Sequence, residues 1–406
     1  MNCETDVLVV GGGATGVGVA RDLAMRDVDV TLCERGGLGS GTTGRSHGVL
    51  HSGARYAESD AEGARECIAE NRIVKRTAGA CVRDSGGYFV ALDDDDPDYF
   101  EAKLAGCRAQ DIPAEPMSGA AAREAVPALA DDVERVIEVP DAVVYPSRLV
   151  AATAESARRH GARVLPDAPV TDLHTENGRV VGATVDHDGG KTVRTNHVVN
   201  AAGAWAGEIA AKAGVEVSMQ PTKGVMVGVE GVEVTPVLNR CRSPADGDLV
   251  VPHDDEVVLG TTSVAVDDPD EYSREDEAVD RMVAECAAMV PALENRNPDR
   301  TYWGVRPLYA PDEDERDGAR SISRGFFLLD HADDGVGGFS SIVGGKLTTH
   351  RRMAEAVADH VCDALGVDGT CRTADEPLPG HDDPAELDDL VDAYVTDSPA
   401  DSDLRD

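Results

Sequence analysis

The sequence predicts an α/β protein: a Rossmann-like dinucleotide-binding domain, discontinuous in sequence, with an antiparallel-sheet substrate domain that caps it. Three observations predict this. The chain opens with a short apolar strand that runs into a glycine-rich turn, a helix and a second strand ending on an acid. Two further small-residue stretches, near residues 200 and 345, each stand before a helix. The segments between these pieces alternate short strands with single helices, as a capping sheet would.

Residues 6–10 (DVLVV) form a buried strand by their unbroken apolar run. The strand feeds the pattern G-x-G-x-x-G on Gly11, Gly13 and Gly16, with Ala14 and Thr15 between the last two. Gly11 permits the tight turn, Gly13 lets backbone approach a pyrophosphate, and Gly16 lets the helix close on the strand. The N–H groups and positive dipole end at the helix start suit the anion. Residues 28–33 give the second strand, and Glu34 at its end can accept both hydroxyls of a ribose. The glycine pattern alone is a weak signal. Strand, glycines, helix, strand and terminal acid in this order are a specific one.

The next stretch separates the possible dinucleotides. A nicotinamide domain would continue into another βα unit. Here Arg35 begins a second loop of Gly, Ser and Thr that includes Thr42 and Thr43. Such a loop suits a longer cofactor lying extended, FAD rather than NAD. It leads into residues 41–57, GTTGRSHGVLHSGARYA, a basic, flexible run holding Arg45, Ser46, His47, His51 and Arg55. Residues 197–205, HVVNAAGAW, read as a strand that ends on small residues, and Ala202 and Gly203 leave room for a dinucleotide. Residues 344–350, GGKLTTH, open the last long helix, about 347–365, and place Gly345, Lys346, Leu347 and Thr348 at its start. The positive end of that helix suits an electron-rich ring edge.

Charge excludes several functions. The chain of 406 residues carries 76 acidic and 38 basic residues, a net charge of −38, and only six of the basic residues are lysine. Nucleic-acid binding needs a basic footprint, and so does docking on anionic lipid. The Lys-poor, acid-rich balance predicts a surface kept hydrated in a very salty cytoplasm, where screening blunts self-repulsion. The nine cysteines contain no C-x-x-C pair, so no metal site is expected. Their odd count, with no signal-peptide pattern, predicts reduced intracellular thiols. No apolar run approaches the roughly 20 residues of a membrane span.

The Gly11 fingerprint, "TTGRSHGVLHSGARY", "NAAGAW", "WGVRPL" and "GGKLTTHRRMAE" together resemble the FAD-dependent glycerol-3-phosphate dehydrogenases, flavoproteins of the glycine-oxidase/D-amino-acid-oxidase type. The resemblance points to the large (A) subunit of the anaerobic type, in a form typical of haloarchaea, and runs from about residue 4 to about 380. It implies oxidation of sn-glycerol 3-phosphate to dihydroxyacetone phosphate, with hydride passing to FAD and electrons onward to a quinone. It also implies membrane-anchoring and iron–sulfur partner subunits, and a cytoplasmic protein peripheral at the inner face of the membrane. The Cys-rich domain with which long members of the family continue is not in this sequence. The rival reading on the same fold is an FAD-dependent amine oxidase of the glycine/sarcosine oxidase type.

A small dianionic substrate on so acidic a protein needs a local basic cluster. The candidates are Arg55, Arg306 in "WGVRPL", and Lys346, with His253 and Thr348 as further substrate contacts. His51 is the candidate base for the hydroxyl proton and His47 the alternative, since histidine suits proton transfer near neutral pH. The resemblance places both beside the flavin and Val170 near the adenine. The domain plan expected is a cofactor domain from residues 1–80, 141–215 and 324–370, a substrate domain from 81–140 and 216–323, and an acidic, loosely ordered tail over 371–406. A short helix is expected within that tail near 385–395, and others over 147–159 and about 273–290.

Overall fold

The computed structural model describes residues 3–187, 189–311 and 325–401. Strand Cys3–Val10 lies inside an eight-stranded sheet. It pairs in parallel with Lys191–Asn200 on one side and Val30–Cys33 on the other. Arg163–Leu165 extends this parallel set beyond Val30–Cys33, and Phe339–Gly344 joins the end of Lys191–Asn200. Both faces of the central strands are covered, so Val7, Leu8 and Val9 are all fully buried and the sequence there runs apolar without alternation. The hairpin Val170–Glu176/Arg179–Val185 and the strand Phe326–Asp330 add antiparallel edges.

Helix Ala14–Met25 packs between Pro146–Arg159 and His350–Leu365 on one face of this sheet. The two partners come from the middle and the end of the chain. That is why the cofactor motifs, far apart in sequence, meet in space. The last helix begins as a tight 3₁₀ turn, Leu347–Thr349, before the α-helix His350–Leu365.

A second sheet has nine strands. Thr222–Glu230 lies between Arg300–Arg306 on one side and Glu256–Gly260 with Val264–Ala265 on the other. All neighbours are antiparallel except one pair, Val237–Arg240 with Gly87–Leu92. That pair is the seam where the strands of 87–139 meet those of 222–306, and strands not joined by a hairpin can run the same way. Helix Asp276–Ala287 covers this sheet, with Met282 and Cys286 in the core beside Val225, Val227 and Leu259.

The tail departs from expectation. Its described part, to residue 401, is packed rather than loose. Asp383 caps helix Pro384–Tyr394 by accepting the Ala385 and Glu386 N–H groups. Leu387, Val391, Val395 and Ala400 are buried, and Val391 and Val395 pack against Ala151. Asp401 accepts the backbone N–H and the hydroxyl of Ser147 at 2.8 and 2.5 Å. An average over composition hides a helical stripe of only a few apolar residues, which is enough once a partner helix is present.

Candidate functional site

One cavity of about 440 Å³ runs along the carboxyl ends of the parallel strands. At one end, backbone geometry makes the cradle. Gly11 has φ +110°, and a Cβ there would stand 2.5 Å from the Ala201 carbonyl oxygen. A Cβ on Gly16 would overlap the Gly11 carbonyl oxygen, so this glycine sets helix-to-strand contact and does not line the cavity. Helix Ala14–Met25 has Gly13 as its N-cap and receives no side-chain cap from it; Thr43 Oγ1 accepts the Ala14 N–H at 3.1 Å. Glu34 is held rigidly: Oε2 accepts the Gly12 N–H at 2.6 Å and Oε1 the Gly36 N–H at 3.0 Å. Burial pushes its carboxyl above the ordinary carboxylate range, and these two N–H groups oppose that shift. A carboxylate has about four acceptor sites, so two hydroxyls can still be met.

Arg35 forms part of a cluster that sequence reading misses. It donates to both Asp270 oxygens, at 3.1 and 2.9 Å, and its guanidinium lies 4.1 Å from the centroid of the Trp205 ring. The Trp205 indole N–H donates to the same carboxylate at 2.9 Å. Asp270, on the segment after the second sheet's edge strand, thus ties that sheet to two wall residues of the first, Arg35 and Trp205. Arg35, at the head of its loop, and Trp205, in "NAAGAW", carried a signal in the sequence, and Asp270 carried none.

The other end is basic. The loop after Thr43 is fixed by strand Arg300–Arg306: Thr42 Oγ1 donates to the Val305 carbonyl at 2.6 Å, and the Tyr302 hydroxyl to the Ser46 carbonyl at 3.0 Å. The same strand delivers Arg306, whose guanidinium donates to the Thr262 carbonyl at 2.9 Å and to Thr261 Oγ1 at 3.3 Å. His47 and His51 meet edge to face with ring centroids 5.9 Å apart, and Tyr56 stands 5.8 Å from His51. Lys346 Nζ lies 4.6 Å from the Tyr56 ring centroid. Burial holds the His47 imidazole well below its ordinary range, helped by the guanidinium charges of Arg306 and Arg55. His47 is therefore neutral, with Arg306 and Lys346 as the cations of this end of the wall.

The cavity wall includes Gly11, Gly13, Ala14, Thr15, Glu34 and Arg35 from the first motif, and Thr42, Thr43, Ser46, His47 and His51 from the loop. It also includes Val170, Ala202 and Gly203, then Arg306, Gly345, Lys346 and Leu347. Five expected residues fall outside it. Besides Gly16, Arg45 turns away to the Ser40 carbonyl and to Asp397. Arg55 is held by Asp248 at 3.4 Å. His253 lies behind the loop, with Nε2 3.5 Å from the His47 carbonyl oxygen. Thr348 is buried, and its hydroxyl accepts the His51 N–H at 3.0 Å. Tyr56 is a wall residue in the basic end that sequence reading leaves out, as are Pro307 and His350; the place of Tyr56 beside Arg55 was the available signal. Among the described residues no group of three or more His, Cys, Asp or Glu is arranged to hold a metal ion, and no helix is long and apolar enough to cross a membrane.

These residues fit FAD. Gly11 and Gly13 line one end of the cavity, Glu34 stands beside them with its carboxyl fixed by two backbone N–H groups, and the cavity continues past them to a second, basic end. Comparison with known proteins agrees. The family model for FAD dependent oxidoreductases matches residues 6–351. The A1 subunit of anaerobic glycerol-3-phosphate dehydrogenase from Haloferax volcanii is 51% identical over 98% of this chain and 70% of its own length. The A subunit of the Escherichia coli K12 enzyme is 43% identical over 95% of this chain and 72% of its own. The glycerol-3-phosphate dehydrogenase of Bacillus halodurans, solved with FAD, has the same fold with a TM-score of 0.72 at 23% identity, covering 99% of this chain and 77% of that one. An N-terminal nucleotide cradle, a basic far end and these matches over nearly the whole length place the chain in the FAD dependent oxidoreductase family, among the A subunits of anaerobic glycerol-3-phosphate dehydrogenase.

Proposed function

We propose that the chain oxidises sn-glycerol 3-phosphate to dihydroxyacetone phosphate and hands the electrons, through partner subunits, to a quinone. One observation carries the substrate assignment: Arg306 and Lys346 gather, beside His47 and His51, at one end of a single cavity, on a chain of net charge −38. A local cation cluster on so acidic a protein is what a phosphate dianion requires.

Bound FAD supplies a two-electron acceptor for the hydride on the alcohol carbon. Glu34, Gly11 and Gly13 hold its nucleotide end, and Gly345, Lys346 and Leu347 stand at the other. Arg306 binds the substrate phosphate, with its guanidinium already aimed by the Thr262 carbonyl and Thr261 hydroxyl. His51 takes the proton of the hydroxyl that becomes the carbonyl. Lys346 adds positive charge beside the reacting atoms. His47, kept neutral, serves as a hydrogen-bonding wall rather than another cation. Arg55 acts one step back, by the field it adds around His47, and His253 by its contact with the His47 carbonyl.

The naming of the relatives as A subunits supports partner subunits, and the motif resemblance is what suggests an iron–sulfur relay and attachment to the inner face of the membrane. The acidic, lysine-poor composition supports a salty cytoplasm. The test is reduction of a dye acceptor by the purified flavoprotein with glycerol 3-phosphate against sarcosine and glycine. Turnover confined to glycerol 3-phosphate is expected; preference for the amines would replace this reading by an amine oxidase.

A further inference from the structure

Three buried side chains from distant parts of the chain converge on the backbone of residues 50–52. Asn71 Nδ2, on helix Ala61–Thr77, donates to the Leu50 carbonyl and to the Pro140 carbonyl, both at 3.1 Å. Thr348 Oγ1 accepts the His51 N–H at 3.0 Å. Asp141 accepts the Ser52 N–H through Oδ1 at 2.6 Å and Asn239 Nδ2 through Oδ2 at 3.3 Å. Asn71, Asp141 and Thr348 are each 1% exposed. A buried carboxyl is costly to keep, so one whose shortest bond goes to a single backbone N–H is there for that bond. Room is made for it: a Cβ on Gly87 would stand 2.7 Å from the Asp141 Cβ.

The sheet does not account for this arrangement. Strand Val49–Leu50 is only two residues long and pairs with Ala142–Val144. The ladder stops at Leu50, and side chains then take over at the three successive residues around His51. Fixing the groups on both sides of a residue fixes both its backbone torsions, and with them the direction in which its side chain leaves the chain. His51 leaves between His47 and Tyr56, at the basic end of the cavity.

We propose that Asn71, Asp141 and Thr348 are positioning residues, which aim the His51 imidazole at the substrate hydroxyl by clamping the backbone on either side of it. This rests on the reading of His51 as proton acceptor. A base must stand within about 2.6–3.2 Å of the group it deprotonates, and a displacement of about 1 Å can lower the rate roughly 100-fold.

The test uses the FAD-loaded protein and glycerol 3-phosphate with a dye acceptor, and reads kcat and KM separately. Asp141→Ala lowers kcat roughly 10- to 100-fold with KM little changed. Asp141→Asn restores most of it, because the amide oxygen still accepts the Ser52 N–H. In a His51→Gln background, Asp141→Ala costs less than about twofold, since no imidazole remains to be aimed. Thr348→Val, which removes the acceptor from the other side, shows the same dependence on His51 and keeps the test standing if Asp141→Ala does not fold. An equal loss from Asp141→Ala, or from Thr348→Val in its place, with and without His51 overturns the proposal, as does an unchanged kcat. Full activity in His51→Gln alone overturns the reading beneath it, without any change at Asp141.

Discussion

Replacing Arg306 by Ala tests the substrate assignment most directly. The guanidinium is held in place by the Thr262 carbonyl at 2.9 Å and Thr261 Oγ1 at 3.3 Å. Its orientation therefore costs little when an anion arrives. A hydrogen bond to a charged partner contributes about 1.5–3 kcal/mol, and about 1.4 kcal/mol is a factor of ten. The specificity constant for glycerol 3-phosphate should drop roughly 10- to 100-fold. The fold loses the bonds to the Thr262 carbonyl and Thr261 Oγ1, about 1–3 kcal/mol together, too little to unfold a domain stable by about 5–15 kcal/mol. The assay is dye-linked turnover with glycerol 3-phosphate and, as control, with glycerol, which has no phosphate to bind. The loss should be confined largely to the phosphorylated substrate. Equal losses with both would refute the phosphate role and assign Arg306 to the chemistry or the fold.

Lys346→Ala should instead slow flavin reduction by both substrates, by roughly 100-fold, when followed by stopped-flow absorbance; a loss restricted to glycerol 3-phosphate would make Lys346 a phosphate ligand. Glu34→Ala removes the acceptor of the Gly12 and Gly36 N–H groups, and FAD affinity, from titration of apoprotein against flavin fluorescence, should weaken about 10- to 100-fold; an unchanged Kd rejects the ribose role. Burial pushes the His197 imidazole down to about 4, so the unfolded chain binds its proton first and stability is lost as pH falls from about 6.5. His197→Gln should accordingly flatten the slope of unfolding free energy against pH between about 4 and 6.5 by up to one proton, and parallel slopes would contradict this. The net charge of −38 should make the melting temperature rise from low to molar KCl; a temperature indifferent to salt would remove the halophilic reading.

Much of the cofactor end was legible in the sequence because its determinants are local. Strand Cys3–Val10, the glycines after it and helix Ala14–Met25 are consecutive, and each residue type answers a backbone constraint within a few positions of itself. Glu34 was found by the same logic, since its place is set by the length of one βαβ unit. The acidic surface and the apolar strands buried on both faces were equally open to reading, because composition and run length carry them directly.

Relations between distant segments were not legible. Arg35 pairs with Asp270, Arg45 with Asp397 and Arg55 with Asp248. Three arginines of one loop region thus have different partners, and two of them, Arg45 and Arg55 of the basic run, turn out of the cavity wall. Thr348 looked like a ligand contact and is instead the acceptor of the His51 N–H. The tail looked solvated, yet Leu387, Val391 and Val395 found a partner in helix Pro146–Arg159. By itself the sequence determined the nucleotide cradle, the fold class and the presence of cations where an anion would be met. Only the tertiary structure decided which cation faces the cavity, because a long charged side chain goes to whichever carboxylate or carbonyl the fold brings within reach, and that choice is made by residues hundreds of positions away.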